Sequence, residues 1–64
     1  MSGLVEIEVQ DQFGKWQHFT RVVNSPTSIK LALERALKTQ LANKSKKARA
    51  VDAKSGTLID LAMG

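Results

Sequence analysis

The sequence predicts one small α+β domain, in which four strands form a single sheet and one helix packs on one face of it. Three observations support this class. The chain has 64 residues, a length that allows a single domain spanning residues 1–64. Alternating apolar and polar residues mark a strand near the N-terminus, and an amphipathic stripe marks one helix in the middle. The resulting order is strand, strand, helix, strand, strand, a two-layer ββαββ arrangement.

The first hairpin is predicted from residues 4–23. Residues 4–10 alternate β-branched and polar side chains, which is typical of a half-buried strand. A turn over 11–14 follows, and Gly14 stands where a tight turn needs a left-handed residue. Residues 15–23 form the second strand. A three-residue loop pairs Asp11 with Lys15, and we therefore expect Ile7 opposite Phe19 on the buried face.

The same register pairs two sets of residues on the other face. It places Glu8 opposite His18 and Gln10 opposite Trp16. Trp16, His18 and Thr20 would then lie together, away from the helix. A slip of one residue would reverse the two faces and bury Trp16 instead, so both placements of this side chain stay open.

A helix is predicted over residues 26–42. Ser25 suits the N-cap, Pro26 suits the first helical position, and Asn43 is a plausible stop. Leu31 falls outside the apolar stripe. The stripe itself has helical spacing and consists of Ile29, Ala32, Leu33, Ala36, Leu37 and Leu41.

The C-terminal part predicts a second hairpin. Residues 48–53 form a weak strand, 54–57 form a turn containing Gly56, and 58–62 form the last strand with Ile59 and Leu61 directed inward. The order of elements resembles the β-grasp, the ubiquitin-type arrangement, over nearly the whole chain. A plain antiparallel sheet fits the same order. Carriers and modifiers of the β-grasp type end in Gly-Gly, whereas this chain ends in Met63-Gly64, so carrier chemistry is not predicted.

The composition argues against an enzyme. The chain has no cysteine and a single histidine, His18, which leaves no thiolate or zinc site, and neither a metal nor a cofactor is predicted. Glu8 and His18 are the nearest acid–base pair, and we interpret them as a cross-strand polar pair. Gly14 and Gly56 match no phosphate-binding loop. Without a visible signal peptide or membrane-spanning run, we expect a cytoplasmic protein that binds neither a membrane nor a small-molecule substrate.

Two kinds of partner remain. The leading hypothesis is a protein-binding or self-associating domain that uses Trp16, His18 and Thr20 on the uncovered sheet face. The alternative is a nucleic-acid-binding protein, because the net charge is +4 and basic residues cluster late in the chain. Small size alone would also suit a regulatory or inhibitor protein. The basic residues of the nucleic-acid hypothesis are Lys44, Lys46, Lys47, Arg49 and Lys54.

Overall fold

The computed structural model describes residues 3–11, 13–38 and 47–63. One sheet has the strand order β2-β1-β3-β4, and every neighbouring pair is antiparallel. The helix packs on one face of this sheet, so the predicted two-layer α+β fold is confirmed in its plain antiparallel form. The elements are β1 (Leu4–Gln10), β2 (Trp16–Val23), α1 (Pro26–Leu37), β3 (Lys47–Asp52) and β4 (Leu58–Met63).

The first hairpin forms because one face of β1 is apolar and because backbone hydrogen bonds within the loop hold the turn. Val5, Ile7 and Val9 are fully buried, as their alternation predicts. The Asp11 N–H donates to the Lys15 carbonyl (2.8 Å), and the Gly14 N–H donates to the Asp11 carbonyl (3.0 Å). Gly14 has a φ of 82°, which confirms the left-handed residue predicted for this turn.

The two hairpin loops share one construction. In the first loop, Asp11 Oδ1 accepts hydrogen bonds from the N–H groups of Phe13 and Lys15. In the second loop, Asp52 Oδ1 accepts from the N–H groups of Lys54 and Ser55, and Gly56 takes a φ of 77°. These backbone hydrogen bonds lower the pKa of both aspartates below the ordinary value.

Each edge strand contains one bulge. In β2, His18 pairs with Glu8 and Thr20 pairs with Ile7, which leaves Phe19 as the extra residue. In β4, Leu58 pairs with Val51 and Asp60 pairs with Ala50, which leaves Ile59 unpaired. The prediction that Ile7 lies opposite Phe19 is therefore wrong, because the bulge shifts the register by one residue after His18.

The helix begins where the sequence predicts. Ser25 is the N-cap with an extended backbone (φ −135°, ψ 134°), although its hydroxyl makes no capping hydrogen bond. At the other end the Lys38 N–H donates to the Arg35 carbonyl (3.1 Å). Residues 39–42 of the predicted helix, and Asn43, lie outside the described residues. Leu31 is exposed, as expected from its position off the stripe.

The core lies between α1 and the central strands β1 and β3. Its large side chains come from β1 and from Ile29 and Leu33 of the helix. Alanines fill the rest of the interface, and small side chains let a helix approach a sheet closely. These alanines are Ala32 and Ala36 on α1 and Ala48 and Ala50 on β3.

Candidate functional site: the open face of the sheet

The sheet face opposite α1 is open to solvent, and the strand register shows which residues it carries. Residues directly opposite each other in antiparallel strands share a face. Two cross-strand rows therefore cross the open face from β2 to β4, and two further pairs continue beyond the second row. The rows are Arg21–Glu6–Val51–Leu58 and His18–Glu8–Arg49–Leu61, and the pairs are Trp16–Gln10 and Lys47–Met63.

Charged side chains form bonds across the middle of this face. Arg21 Nε donates to Glu6 Oε1 (2.7 Å), and His18 Nδ1 lies 2.7 Å from Glu6 Oε2. The hydrogen bond from Arg21 lowers the pKa of the Glu6 carboxyl, with smaller contributions from the charges of Arg21 and His18, while partial desolvation raises it. His18 thus pairs with Glu6, although Glu8 is its directly opposite neighbour.

Arg49 joins this charged group to the only tryptophan. Its Nε donates to Glu8 Oε1 (2.6 Å), and its guanidinium carbon lies 4.3 Å from the centroid of the Trp16 ring. This is the geometry of a cation–π contact. One face of the Trp16 ring is therefore covered by Arg49 and is closed to a stacking base. We call the five residues Glu6, Glu8, His18, Arg21 and Arg49 the charged ladder.

Exposed apolar side chains surround the charged ladder on two sides. Leu4 and Val23 lie at one end of β1 and β2, and three more side chains follow the outer strand β4. Val51, which is only 9% exposed, lies on the same face between these two groups. We call the exposed residues the apolar strip; they are Leu4, Val23, Leu58, Leu61 and Met63.

The bulge in β2 separates the residues predicted for a protein interface. Trp16 and His18 lie on the open face, half-buried and exposed respectively. Thr20 pairs with Ile7 and therefore lies on the helix side, where it borders an open groove with Ser28 on α1. The expectation that these three residues share one face is wrong for Thr20.

The residues predicted for nucleic-acid binding do not form one cluster in the described structure. Lys44 and Lys46 lie outside the described residues. Lys47 and Lys54 are exposed at opposite ends of β3, roughly 20 Å apart along the strand direction. Arg49, between them, is engaged by Glu8 and Trp16.

Sequence reasoning missed the apolar strip on β4. The prediction that Leu61 is directed inward is wrong, since it lies opposite Arg49 on the open face and is 49% exposed. Ile59, the bulged residue, borders a second open groove beside α1. A usable signal was present, because residues 58–63 are apolar at nearly every position and cannot all be covered by one helix. Phe13, at the tip of the first loop, is also largely exposed.

Other kinds of site find no support in the described part of the chain. Its histidine, aspartate and glutamate residues form no group of three that could hold a metal ion. Over the same residues, no helix is long and apolar enough to cross a membrane. Comparison of the chain with family models, curated proteins and solved structures gave no match.

Proposed function

We propose that this domain is a non-catalytic protein-binding module that docks its partner on the open face of the sheet. The observation that carries the proposal is the apolar strip, five exposed large apolar side chains on the face that α1 does not cover. Large apolar side chains that lie close together on a surface are typical of protein interaction sites.

The charged ladder lies between the two parts of the apolar strip, so a partner that covers the strip also covers the ladder. Arg21, Arg49 and His18 are held by Glu6 and Glu8, so their positions are set before a partner arrives. Side chains that are already ordered lose less conformational entropy on binding. A partner can therefore bury the apolar strip together with charged groups that stay paired with each other, which limits the cost of removing them from water.

The pairing within the charged ladder favours a protein partner over nucleic acid. Two carboxylates lie among its cations, and a phosphate approaching Arg21 or Arg49 would have to displace Glu6 or Glu8. Nucleic-acid binding stays a prediction. A fluorescence anisotropy titration with single-stranded and duplex probes at low and moderate salt tests it separately, since phosphate contacts weaken strongly as salt rises.

Site-specific photo-crosslinking tests the proposal in cells that produce the protein. A photoreactive phenylalanine analogue replaces Leu58 on the open face, and in the matched control it replaces Leu31 of α1, which lies on the opposite side of the sheet beside the groove between α1 and β2. The two leucines are almost equally exposed, at 55% and 51%. We expect defined protein adducts from Leu58, identified by mass spectrometry, and few from Leu31.

A second variant tests whether the adducts from Leu58 depend on binding through the apolar strip or arise from chance contacts. Adding Val23→Glu to the Leu58 probe places a charge at the far end of the apolar strip, on the edge strand β2, and should reduce the adducts. Equal adduct yields from Leu58 and Leu31, or adducts unaffected by Val23→Glu, would contradict docking on the open face.

A further inference from the structure

Two open grooves lie along the sides of α1, because a single helix is narrower than a four-stranded sheet. One groove lies between α1 and the edge strand β2, and the other lies between α1 and the edge strand β4. The buried core is built from α1 and the central strands, so the helix-facing sides of both edge strands are only partly covered. We call these two features the β2 groove and the β4 groove.

The β2 groove is lined by apolar side chains from both of its elements. Phe19 and Val22 of β2 form one wall, and Leu31 and Ala32 of α1 form the other. The bulge contributes to the first wall, because Phe19 has no partner in β1 and packs against the core beside the helix. The groove has a volume of about 410 Å³, within the range of roughly 300–1,000 Å³ that is usual for small-molecule sites.

Three polar side chains in the β2 groove are available to a ligand. They are the hydroxyls of Thr20 and Ser28 and the guanidinium of Arg35. Within the part of the chain that the structure describes, none of these side chains makes a hydrogen bond or an ion pair. Ser28 and Arg35 lie two helical turns apart, about 10 Å along α1, so polar groups are present at both ends of the apolar walls.

The charge of the β2 groove distinguishes it from the β4 groove. Among their described residues, the β2 groove has Arg35 and no carboxylate, whereas Lys30 and Asp60 both border the β4 groove. The net charge of +4 on the whole chain also attracts anions. A guanidinium binds a carboxylate through two parallel hydrogen bonds. The β2 groove is therefore the better site for an anion that also has an apolar part.

From this combination we propose that the β2 groove binds a small organic acid, with its apolar body between Phe19 and Leu31 and its carboxylate on Arg35. The inference goes beyond the proposed function, because this groove lies on the helix side of the sheet and the protein partner docks on the open face. A groove two helical turns long is short for a protein interface, which typically buries about 800 Å² on each partner, and this favours a small molecule. The acid is a ligand and not a substrate, since the described lining of the groove contains no histidine or carboxylate that could act as a base.

An NMR titration of the isotope-labelled protein tests the proposal with two acids, phenylpropionate and octanoate, and with the uncharged amide of each. We expect both acids to cause saturable shifts of the backbone amide signals of Thr20, Ser28 and Leu31, with a Kd of about 1 mM or below. The amides should bind about ten-fold or more weakly, because they cannot form the charged pair with Arg35.

Three variants identify the groups that bind the acid. Arg35→Gln should remove the preference for acid over amide. Lys30→Gln is the matched control, because it removes the same charge from an exposed position on the same helix but beside the β4 groove, and it should leave the preference intact. Ser28→Leu should fill the β2 groove without changing its charge and weaken both acids about ten-fold or more. The dispersion of the NMR signals checks that each variant is folded.

Four results would each overturn the small-acid site. They are the absence of saturable shifts with both acids, equal affinities for acid and amide, an effect of Lys30→Gln as large as that of Arg35→Gln, and binding that Ser28→Leu leaves unchanged. The proposed function fails by a different result, the absence of open-face adducts in cells.

Discussion

Removing the guanidinium of Arg49 should destabilise the domain measurably, although Arg49 is a surface residue. Arg49→Met keeps most of the aliphatic stem but loses both the ion pair with Glu8 and the cation–π contact with Trp16. The ion pair is partly shielded, with side chains 32% and 23% exposed, so it should contribute near the upper end of about 0.2–1 kcal/mol. The contact with Trp16 adds about 0.5–1 kcal/mol. We therefore expect a loss of about 1–2 kcal/mol.

That loss is large for a domain of this size. At about 0.05–0.15 kcal/mol per residue, a chain of 64 residues has an unfolding free energy of roughly 3–10 kcal/mol. Urea denaturation followed by circular dichroism measures the change without depending on the fluorescence of Trp16. Lys47→Met is the matched control, because Lys47 lies on the same strand and the same face, and it should change stability by no more than about 0.5 kcal/mol.

A double-mutant cycle isolates the contact between Arg49 and Trp16. Trp16→Leu is measured alone and together with Arg49→Met, and the coupling energy should be about 0.5–1 kcal/mol. A coupling energy of zero would refute the cation–π contact. An Arg49→Met variant as stable as Lys47→Met would show that neither the ion pair with Glu8 nor the contact with Trp16 stabilises the domain.

Two further predictions concern the core and the loops. Ile7→Val should lower the free energy of unfolding by about 0.5–1.5 kcal/mol in urea denaturation, because Ile7 is fully buried. The control Ile59→Val, at 40% exposure, should lower it by less than half as much. Equal losses of stability would contradict the assigned core. The pKa values of Asp11 and Asp52 are lower in the folded chain than their ordinary values, so the stability they contribute is present above the ordinary pKa and is lost as pH falls through the folded pKa. The urea midpoint should therefore fall between about pH 5 and about pH 2. Asp52→Asn should flatten that profile, and an unchanged profile would contradict the role of the loop carboxylates.

The elements of this fold were predictable because each has a local signal. Val5, Ile7 and Val9 alternate with polar residues, and the helix begins at Pro26 as its position after Ser25 predicts. The turn glycines also lie where the sequence places them, since positive φ values leave little choice of residue. Local patterns therefore suffice for strands, helix start and loops.

The positions of the bulges were not predictable from the sequence. A bulge at Phe19 needs no glycine and depends on how the whole sheet twists, so no local residue marks it. Its effect on the candidate site is large, because every residue of β2 after Phe19 changes face, and Thr20 moves to the helix side. The pairing of His18 with Glu6 rather than Glu8 is equally a matter of side-chain reach across the assembled sheet.

The construction of the β2 edge affects whether copies of this chain can add to one another without limit. Molecules with two permissive edges can add copies at both ends and grow into fibres. Here β2 has a bulge at mid-strand and exposes Arg21 beside it, and both features oppose strand addition at this edge. Unlimited growth by strand addition needs two pairing edges, so a β2 edge that resists pairing guards against fibres even though β4 exposes leucines.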